Sequence, residues 1–265
     1  MSQKEETTGW INLTHAEYDA HPGIRSSHIK PLIQSPLHYQ AAQESQLDEE
    51  QTDAQRLGAV IHGCVFEPEL FLPRLLVCPK YNKSTIKGKE GYAEFLSLAP
   101  EHSLILSKKE EELVLAITDA IRSHARCQSY FKNGVGEVAG IARDHHGILR
   151  KIKPDFRRTD CGVIFDLKTT TNALLRSFRY DAFNLGYFTS AAYYLDTANI
   201  IEPGRYEAFV WVAVEKKKPW AIKFYQLSPE RHKEASEQIE DAMQKLLIAK
   251  ETNVWSGYPD EIEYL

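Results

Sequence analysis

The sequence predicts a single domain of the α/β (α+β) class, in which a central mixed β-sheet is flanked by helices. Helix-like and strand-like segments follow one another in the order helices, three strands, helix, two strands, helix. The 265 residues are enough for one large domain with a sizeable core. A hydrophobic fraction of 43% and a charged fraction of 26% are ordinary for a globular chain, so a disordered chain and a fibrous repeat are excluded.

The first half of the chain is predicted to be mainly helical. Residues 1–10 are polar and are expected to form a disordered tail, followed by an N-terminal helical part over 11–130. Apolar residues at helical spacing predict helices at 54–67 and 108–126. The acidic stretch 44–53 is interpreted as a connector.

Two local signals refine this first half. Ser26 or Ser27 can cap one short helix, and Ser35 followed by Pro36 can start another. The lysine-rich stretch 79–91 is predicted to be a mobile basic loop, which is either solvated or in contact with nucleic acid.

The second half, residues 131–265, is predicted to carry the sheet. Its five expected strands are 135–142, 148–156, 163–170, 206–215 and 220–227, and the first three form a meander. A helix is expected at 177–198, and a last helix from Ser228-Pro229 to about Lys250. The turn after the first strand contains His145 and His146, which we expect to be simply exposed.

Charge and composition narrow the classes of function. The net charge of −5 means that binding to nucleic acid would need a local basic surface, whereas surplus carboxylates could surround a metal. The widely spaced cysteines form no C-x-x-C pair, which argues against a zinc ribbon and an iron–sulfur site. Neither an apolar run of membrane-spanning length nor a signal peptide is found, so a reduced cytoplasmic protein is expected. The chain has no P-loop, so ATP use is not expected.

The strand at 163–170 carries the most informative residues. Asp166 and Lys168 lie two apart, so they share one face of an otherwise apolar strand, where they could form a plain ion pair. Asp155 ends the preceding strand, 11 residues before Asp166, and a hairpin could bring the two carboxylates together. Converging carboxylates repel unless a cation lies between them or one is protonated. Mg²⁺ or Mn²⁺ suits such oxygen ligands, and a lysine beside the metal could orient a water for phosphodiester hydrolysis.

These residues resemble the core motif of the PD-(D/E)XK nuclease superfamily. The motif here is Lys153-Pro154-Asp155 followed by Asp166-Leu167-Lys168. The segment from Gly58 to His62 is similar to the G-x-x-x-H helix of the RecB-like branch. The stretches SSHIKPLIQSPLHYQA and RLGAVIHGCVFEPELF look closest to RecE-type nucleases (exodeoxyribonuclease VIII), in a resemblance that runs from about Tyr18 to the end of the last helix. A restriction-endonuclease-like core is therefore expected.

The resemblance implies specific roles for the site residues. It implies four metal ligands, which are the side chains of His62, Asp155 and Asp166 and the backbone carbonyl of Leu167. Lys168 would be the catalytic lysine, and Glu137 would assist the water or a second metal. Taken without the resemblance, Glu137 could be a surface carboxylate and His62 an ordinary helix histidine.

The resemblance also implies residues that contact DNA. RecB-like nucleases carry Gln-x-x-x-Tyr on the helix after the catalytic strand; here Tyr194 fits, whereas Ser190 replaces the glutamine. Tyr187 shares that helix face, and a role in core packing is an alternative for both tyrosines. Ser27 lies where related exonucleases place a serine near the 5′-phosphate, with Arg25 nearby, although a helix cap would explain Ser27 equally well.

The function implied is a Mg²⁺-dependent exonuclease (Mn²⁺ being an alternative metal) that degrades linear double-stranded DNA from the 5′ end. It would release mononucleotides and leave 3′ single strands for recombination. Relatives assemble as rings of three or four subunits and act with a RecT-like single-strand annealing protein. The alternatives are a RecB-like endonuclease, a CRISPR-adaptation nuclease (which usually carries an iron–sulfur cluster) and a catalytically silent DNA-binding or assembly module.

Overall fold

The structure is a computed structural model that describes residues 8–45 and 52–262. Its strands are β1 (Gly9–Ile11), β2 (Leu75–Val77), β3 (Leu104–Leu106), β4 (Gly134–Gly136), β5 (Ala139–Arg143), β6 (Leu149–Ile152), β7 (Phe156–Arg158), β8 (Val163–Thr170), β9 (Ala208–Glu215) and β10 (Ile222–Gln226). Its α-helices are α1 (His15–Ala20), α2 (Ser26–Gln34), α3 (Pro36–Ser45), α4 (Asp53–Phe66), α5 (Pro68–Phe71), α6 (Ile86–Leu98), α7 (Lys108–Ser123), α8 (Ala125–Tyr130), α9 (Leu175–Asn184), α10 (Tyr187–Ile201) and α11 (Pro229–Thr252).

A five-stranded mixed sheet lies at the centre, in the order β10-β9-β8-β7-β4. Strand β8 is its middle strand and runs parallel to β9 over all eight residues, with Asp166 opposite Trp211. On its other side, β8 pairs with antiparallel β7 through only two residue pairs, Phe156 with Phe165 and Arg157 with Ile164. The expected central mixed sheet is therefore confirmed.

Helices cover both faces of this sheet because β8 and β9 are apolar on both sides. Phe165 and Leu167 belong to a core that α4 and α7 complete. Ile164 belongs to the opposite core, to which α2, α10 and α11 contribute. The helices of the N-terminal part thus contribute to both layers of one domain.

A second sheet, in the order β1-β5-β6, corrects the predicted meander. The expected strand at 135–142 is two strands in two sheets, because Glu137 adopts a left-handed backbone with φ 54° and turns the chain. The expected strand at 148–156 is likewise divided between β6 and β7, with the break at 153–155. The chain therefore changes sheets next to the residues that the sequence singles out.

Other boundaries also differ from expectation. The helix expected at 177–198 is divided into α9 and α10 at Gly186, where φ is +74°. Part of the basic stretch 79–91 is helical, because Thr85 caps α6. Arg25, rather than a serine, occupies the N-cap of α2, and no side chain caps that helix.

Two capping signals predicted at the starts of helices are confirmed. Ser35 accepts a hydrogen bond from the His38 backbone N–H (3.2 Å) just before α3, and Ser228 caps α11. Gly9 and Trp10 lie in β1 rather than in a disordered tail, while the rest of that predicted tail to residue 7 is outside the described residues. Most of the acidic connector at 44–53 is also outside them.

Two further observations concern the whole described chain. All four cysteines, Cys64, Cys78, Cys127 and Cys161, are free thiols. Among residues 8–45 and 52–262, no helix has both the length and the apolar character needed to cross a bilayer.

Candidate active site

Strand β8 projects Asp166 and Lys168 from the same face, as its alternation predicts. Lys168 Nζ donates to Asp166 Oδ1 at 2.8 Å and lies 2.6 Å from Asp166 Oδ2. Only 26% of the Lys168 side chain and 17% of the Asp166 side chain are exposed. The Tyr187 ring on α10 packs against the lysine, with its centroid 5.2 Å from Nζ. This acid–lysine pair is therefore held in a fixed and partly desolvated position.

Asp155 joins this pair from the neighbouring chain segment between β6 and β7. Its Oδ2 accepts a hydrogen bond of 2.6 Å from the backbone N–H of Leu167, at the point where β8 has no further pairing with β7. The carboxylate therefore takes the place that a backbone carbonyl would have in a longer ladder. Because Leu167 lies between Asp166 and Lys168, this bond brings the second carboxylate beside the acid–lysine pair.

Helix α4 brings His62 to the same place. His62 Nδ1 lies 3.2 Å from Asp155 Oδ2, and 23% of the histidine side chain is exposed. Gly63 lets the Phe71 ring pack directly on the helix, since a Cβ there would lie 2.1 Å from a ring carbon. Val60, Ile61 and Cys64 are buried in the core beneath the sheet, which fixes the rotation of α4.

Glu137 lies next to Asp155, although not on a strand as predicted. Its backbone N–H donates to the carbonyls of Pro154 (3.2 Å) and Asp155 (3.3 Å). Its Oε2 is 3.4 Å from Lys153 Nζ, and 11% of the side chain is exposed. Ligand atoms of His62, Glu137 and Asp155 all lie within 4.8 Å of one another. The structure thus places Glu137 among the residues that the sequence marked as metal ligands.

The charges in this cluster are strongly coupled. Burial opposes ionisation of Asp155, but the charge and hydrogen bond of His62 hold its pKa below the usual value. Burial raises the pKa of Asp166, with Asp155 adding to the effect. Burial, followed by repulsion from Asp155, raises the pKa of Glu137 to about 7.

In the two basic groups, the neighbouring carboxylates favour the charged form. Burial opposes the charge of His62, but Asp155 outweighs it and raises the pKa of the imidazole. The pKa of Lys168 is also raised, because Asp166 and Asp155 outweigh the cost of burial. The carboxylates repel one another, which favours a bound cation, and His62 must release its proton before its imidazole can be a ligand.

Two residues near Glu137 were missed by the sequence reasoning. Glu67 follows α4 as its C-cap residue, and His15 is the first residue of α1. His15 Nε2 lies 3.6 Å from Glu67 Oε2, and ligand atoms of these two residues and Glu137 lie within 4.8 Å of one another. The position of Glu67 five residues after His62 was an available signal, whereas nothing in the sequence connects His15 to the site.

The donor set fits a divalent metal. Among the described residues, Glu67 Oε2 is buried without a hydrogen-bond partner, whereas buried Asp166 Oδ2 lies 2.6 Å from the Lys168 ammonium. A buried carboxylate oxygen without a donor is costly, and a cation would satisfy it. Carboxylates with one imidazole suit Mg²⁺ or Mn²⁺. His62, Asp155 and Asp166 with the Leu167 carbonyl could hold such an ion, and Glu137 and Glu67 lie close by.

The predicted DNA-contacting residues have mixed surroundings. The Tyr194 hydroxyl donates to the Lys153 carbonyl at 3.3 Å, and its ring packs on Phe209, so this tyrosine buttresses the segment before Asp155. Ser190 lies on α10, partly buried. Near the start of α2, Ser27 is exposed and Arg25 bonds to Asp19 at 3.0 Å. DNA contact through Arg25, Ser27, Ser190 and Tyr194 stays a prediction.

The fold and this site define a protein of the PD-(D/E)XK nuclease superfamily. The chain belongs to the family of PDDEXK-like domains of unknown function, DUF3799, which matches residues 25–265. That match covers both the His62 helix and the Asp155–Lys168 motif.

One solved structure supports the same fold. A putative exonuclease from Eubacterium rectale superposes with a TM-score of 0.65 at 18% sequence identity, covering 92% of this chain and 88% of that chain. SSO0001 matches at 14% identity over 82% of this chain and 84% of that chain, but its TM-score of 0.31 supports no argument. No curated protein matches the chain.

Proposed function

We propose that this chain is a divalent-metal-dependent, ATP-independent exonuclease that degrades double-stranded DNA in the 5′ to 3′ direction. Family membership supports nuclease activity in general. The observation that carries the proposal is the convergence of His62, Glu137 and Asp155 beside the Asp166–Lys168 pair. That these motif residues lie together in space supports the proposal.

Different residues of the chain would have different roles in hydrolysis. His62, Asp155, Asp166 and the Leu167 carbonyl would hold Mg²⁺, or Mn²⁺. When bound, the ion polarises the phosphodiester and lowers the pKa of a water. Lys168 remains protonated, because Asp166 holds its ammonium, so it can orient the water and stabilise the charge that develops on the phosphate.

Glu137 offers a second acid–base function at the same place. Its raised pKa of about 7 lies where a carboxylate can accept a proton near neutral pH. The Lys153 ammonium, 3.4 Å from its carboxylate, fixes the side chain. Glu137 could therefore receive the proton that the attacking water gives up.

The finer features of the proposal rest on the resemblance to RecE-type nucleases and on the name of the structural neighbour, an exonuclease. Attack at a double-stranded end would release mononucleotides and leave a 3′ single strand for recombination or repair in the cytoplasm. A RecT-like annealing protein would then coat that strand. The basic residues Lys80 to Lys89 could line a DNA channel in a ring of three or four subunits.

Digestion of one DNA in two forms tests the reaction. A covalently closed circle and a linear duplex with 5′-phosphates would be incubated with Mg²⁺ and without ATP. We expect loss of the linear form alone, with release of acid-soluble nucleotides. The Lys168→Ala variant should be inactive, whereas Lys223→Ala, which removes an exposed lysine on β10, should retain full activity.

The other outcomes select other functions. Cleavage of the circle would replace the exonuclease by an endonuclease. Binding of DNA without cleavage, with Mn²⁺ also tried, would favour the silent binding module. End-labelling of each strand in turn decides polarity, because only 5′ to 3′ degradation releases a 5′ label at once.

Light scattering of the purified protein tests the ring. A mass of three or four chains is expected, and a monomer at micromolar concentration would contradict the ring while leaving the nuclease reaction untouched.

A further inference from the structure

The turn between β5 and β6 presents two adjacent histidines to helix α11. His146 Nε2 lies 2.5 Å from Glu240 Oε1, and His145 Nε2 lies 3.2 Å from the same oxygen. One ligand atom from each of these three residues lies within 4.8 Å of the other two. Both rings contact α11. The expectation of simple exposure is wrong for His146, whose side chain is 18% exposed, whereas His145 is exposed as expected, at 67%.

The turn that carries the histidines is held in place by a buried ion pair. The buried Asp144 carboxylate accepts hydrogen bonds from the backbone N–H groups of His146 (3.1 Å) and Ile148 (2.9 Å). It also accepts a bond of 2.7 Å from Arg150 Nε, and the side chains of Asp144 and Arg150 are 0% and 5% exposed. This pair holds the backbone from which the imidazoles project. A ligand that binds the imidazoles would therefore need to order little more of the chain.

The cluster opens onto a cavity of about 580 Å³. His145 and Glu240 line it together with Asp196, Ser236, Glu237 and Asp241. An ion could reach the cluster from solvent, and water could complete its coordination. Arg150 also lines the cavity, but its charge is paired with Asp144, so the carboxylates around the cavity favour a cation.

We propose that His145, His146 and Glu240 form a second metal site, for Zn²⁺, separate from the nuclease centre. Two imidazoles and one carboxylate with an open position are a donor set that zinc prefers and that Mg²⁺ does not. At the usual bond lengths of roughly 2.0–2.1 Å, tetrahedral ligand atoms stand about 3.3 Å apart. The His145–Glu240 separation of 3.2 Å meets this already, and the His146–Glu240 separation of 2.5 Å must widen by less than an ångström.

The hydrogen bonds of Glu240 support this site. Its Oε1 accepts from Gln244 Nε2 at 3.2 Å and lies against both imidazoles, so the carboxylate is held in place facing the two rings. In the absence of metal it accepts from the same imidazole nitrogens that would bind the ion.

The bound ion would join the β5–β6 turn to α11. The opposite end of the same hairpin leads to Glu137 on one strand and Asp155 on the other. The strands separate the two ends by roughly 15–20 Å, so the zinc would link the turn to α11 and would not touch the reacting phosphate. This role is additional to the proposed nuclease reaction and does not depend on it.

Zinc binding by the full chain tests the proposal. Zn²⁺ would be titrated by calorimetry, and the variants identify the equivalent that belongs to the β5–β6 turn, because the His62 centre can bind zinc as well. We expect the affinity of that equivalent to fall at least tenfold in His146→Gln and in Glu240→Gln. The matched control is His232→Gln, because His232 bonds Asp196 at 2.8 Å beside the same cavity but lies outside the cluster.

The control should retain wild-type zinc affinity, and all three variants should retain Mg²⁺-dependent nuclease activity. Equal zinc affinity and stoichiometry in wild type, His146→Gln and Glu240→Gln would overturn the proposal. Circular dichroism checks that each variant is folded. Anomalous scattering at the zinc edge from zinc-soaked wild-type crystals decides without any variant, since peaks only at other places would also overturn it.

Discussion

Replacing Glu137 by glutamine is expected to stabilise the metal-free protein above neutral pH while it impairs nuclease activity. Burial and the neighbouring Asp155 raise the pKa of this carboxyl from 4.5 to about 7 in the folded protein. In the unfolded chain it ionises near its ordinary pKa. Between these two values, ionisation favours the unfolded state, and the full destabilisation is present only above the folded pKa.

The size of the effect follows from the two pKa values. Moving a carboxyl pKa from 4.5 to about 7 corresponds to about 3 kcal/mol against the ionised form. At pH 8 nearly all of this is present, whereas at pH 5 less than about 1 kcal/mol remains, because the folded carboxyl is then protonated. Glutamine has the same shape and no charge, so the variant should regain about 3 kcal/mol at pH 8 and little at pH 5.

Urea unfolding in EDTA at the two pH values measures this difference. Glu90→Gln, at an exposed position on α6, is the matched control and should change stability equally little at both. In the same preparation, Mg²⁺-dependent cleavage by Glu137→Gln should fall by about 10²-fold if Glu137 accepts the water's proton. An equal gain in stability at both pH values, or none at pH 8, would refute the electrostatic reasoning.

Three further predictions concern the ion pair under the turn, the thiols and the metal. Arg150→Met should lower the free energy of unfolding by about 3–5 kcal/mol in urea, because it leaves the Asp144 carboxylate buried and unpaired; a loss below about 1 kcal/mol would contradict this. Burial raises the pKa of Cys64 and of Cys127 to about 11, so at pH 8 iodoacetamide should label exposed Cys161 first and these two only after unfolding, as mass spectrometry of peptides would show. Excess EDTA should abolish DNA cleavage and added Mg²⁺ restore it, and cleavage that persists in EDTA would exclude the metal-dependent reaction.

The central part of the site could be predicted because it depends on local periodicity. The run VIFDLKTT is rich enough in β-branched and aromatic residues to define β8, and the two-residue period of a strand puts Asp166 and Lys168 on one face. The meeting of Asp155 with this pair followed from a short hairpin, which is also a local feature. His62 was different, since its helix was predictable but its approach to Asp155 came only from the resemblance.

The change of sheet at Glu137 could not be read from the pattern. The apolar periodicity of 135–142 continues through this residue, and a positive φ in a glutamate has no sequence signal. The division of α9 from α10 was easier to predict from the sequence, because Gly186 interrupts an otherwise helical segment. The meeting of His145 and His146 with Glu240 is a contact between residues 94 or more apart in sequence, which periodicity does not report.

The hydrogen bond from the Leu167 N–H to Asp155 has a consequence for how this family could lose its activity. Besides its proposed role as a ligand, Asp155 replaces a missing rung of the sheet, so its removal would leave a backbone donor unsatisfied in the middle strand. Within the described part of the chain the Lys168 ammonium bonds to the Asp166 side chain alone, and replacing both residues together by apolar ones would leave the backbone ladder intact. In related proteins that no longer cleave DNA, we therefore expect Lys168 and Asp166 to be replaced early. We expect Asp155 to be retained long after cleavage has been lost.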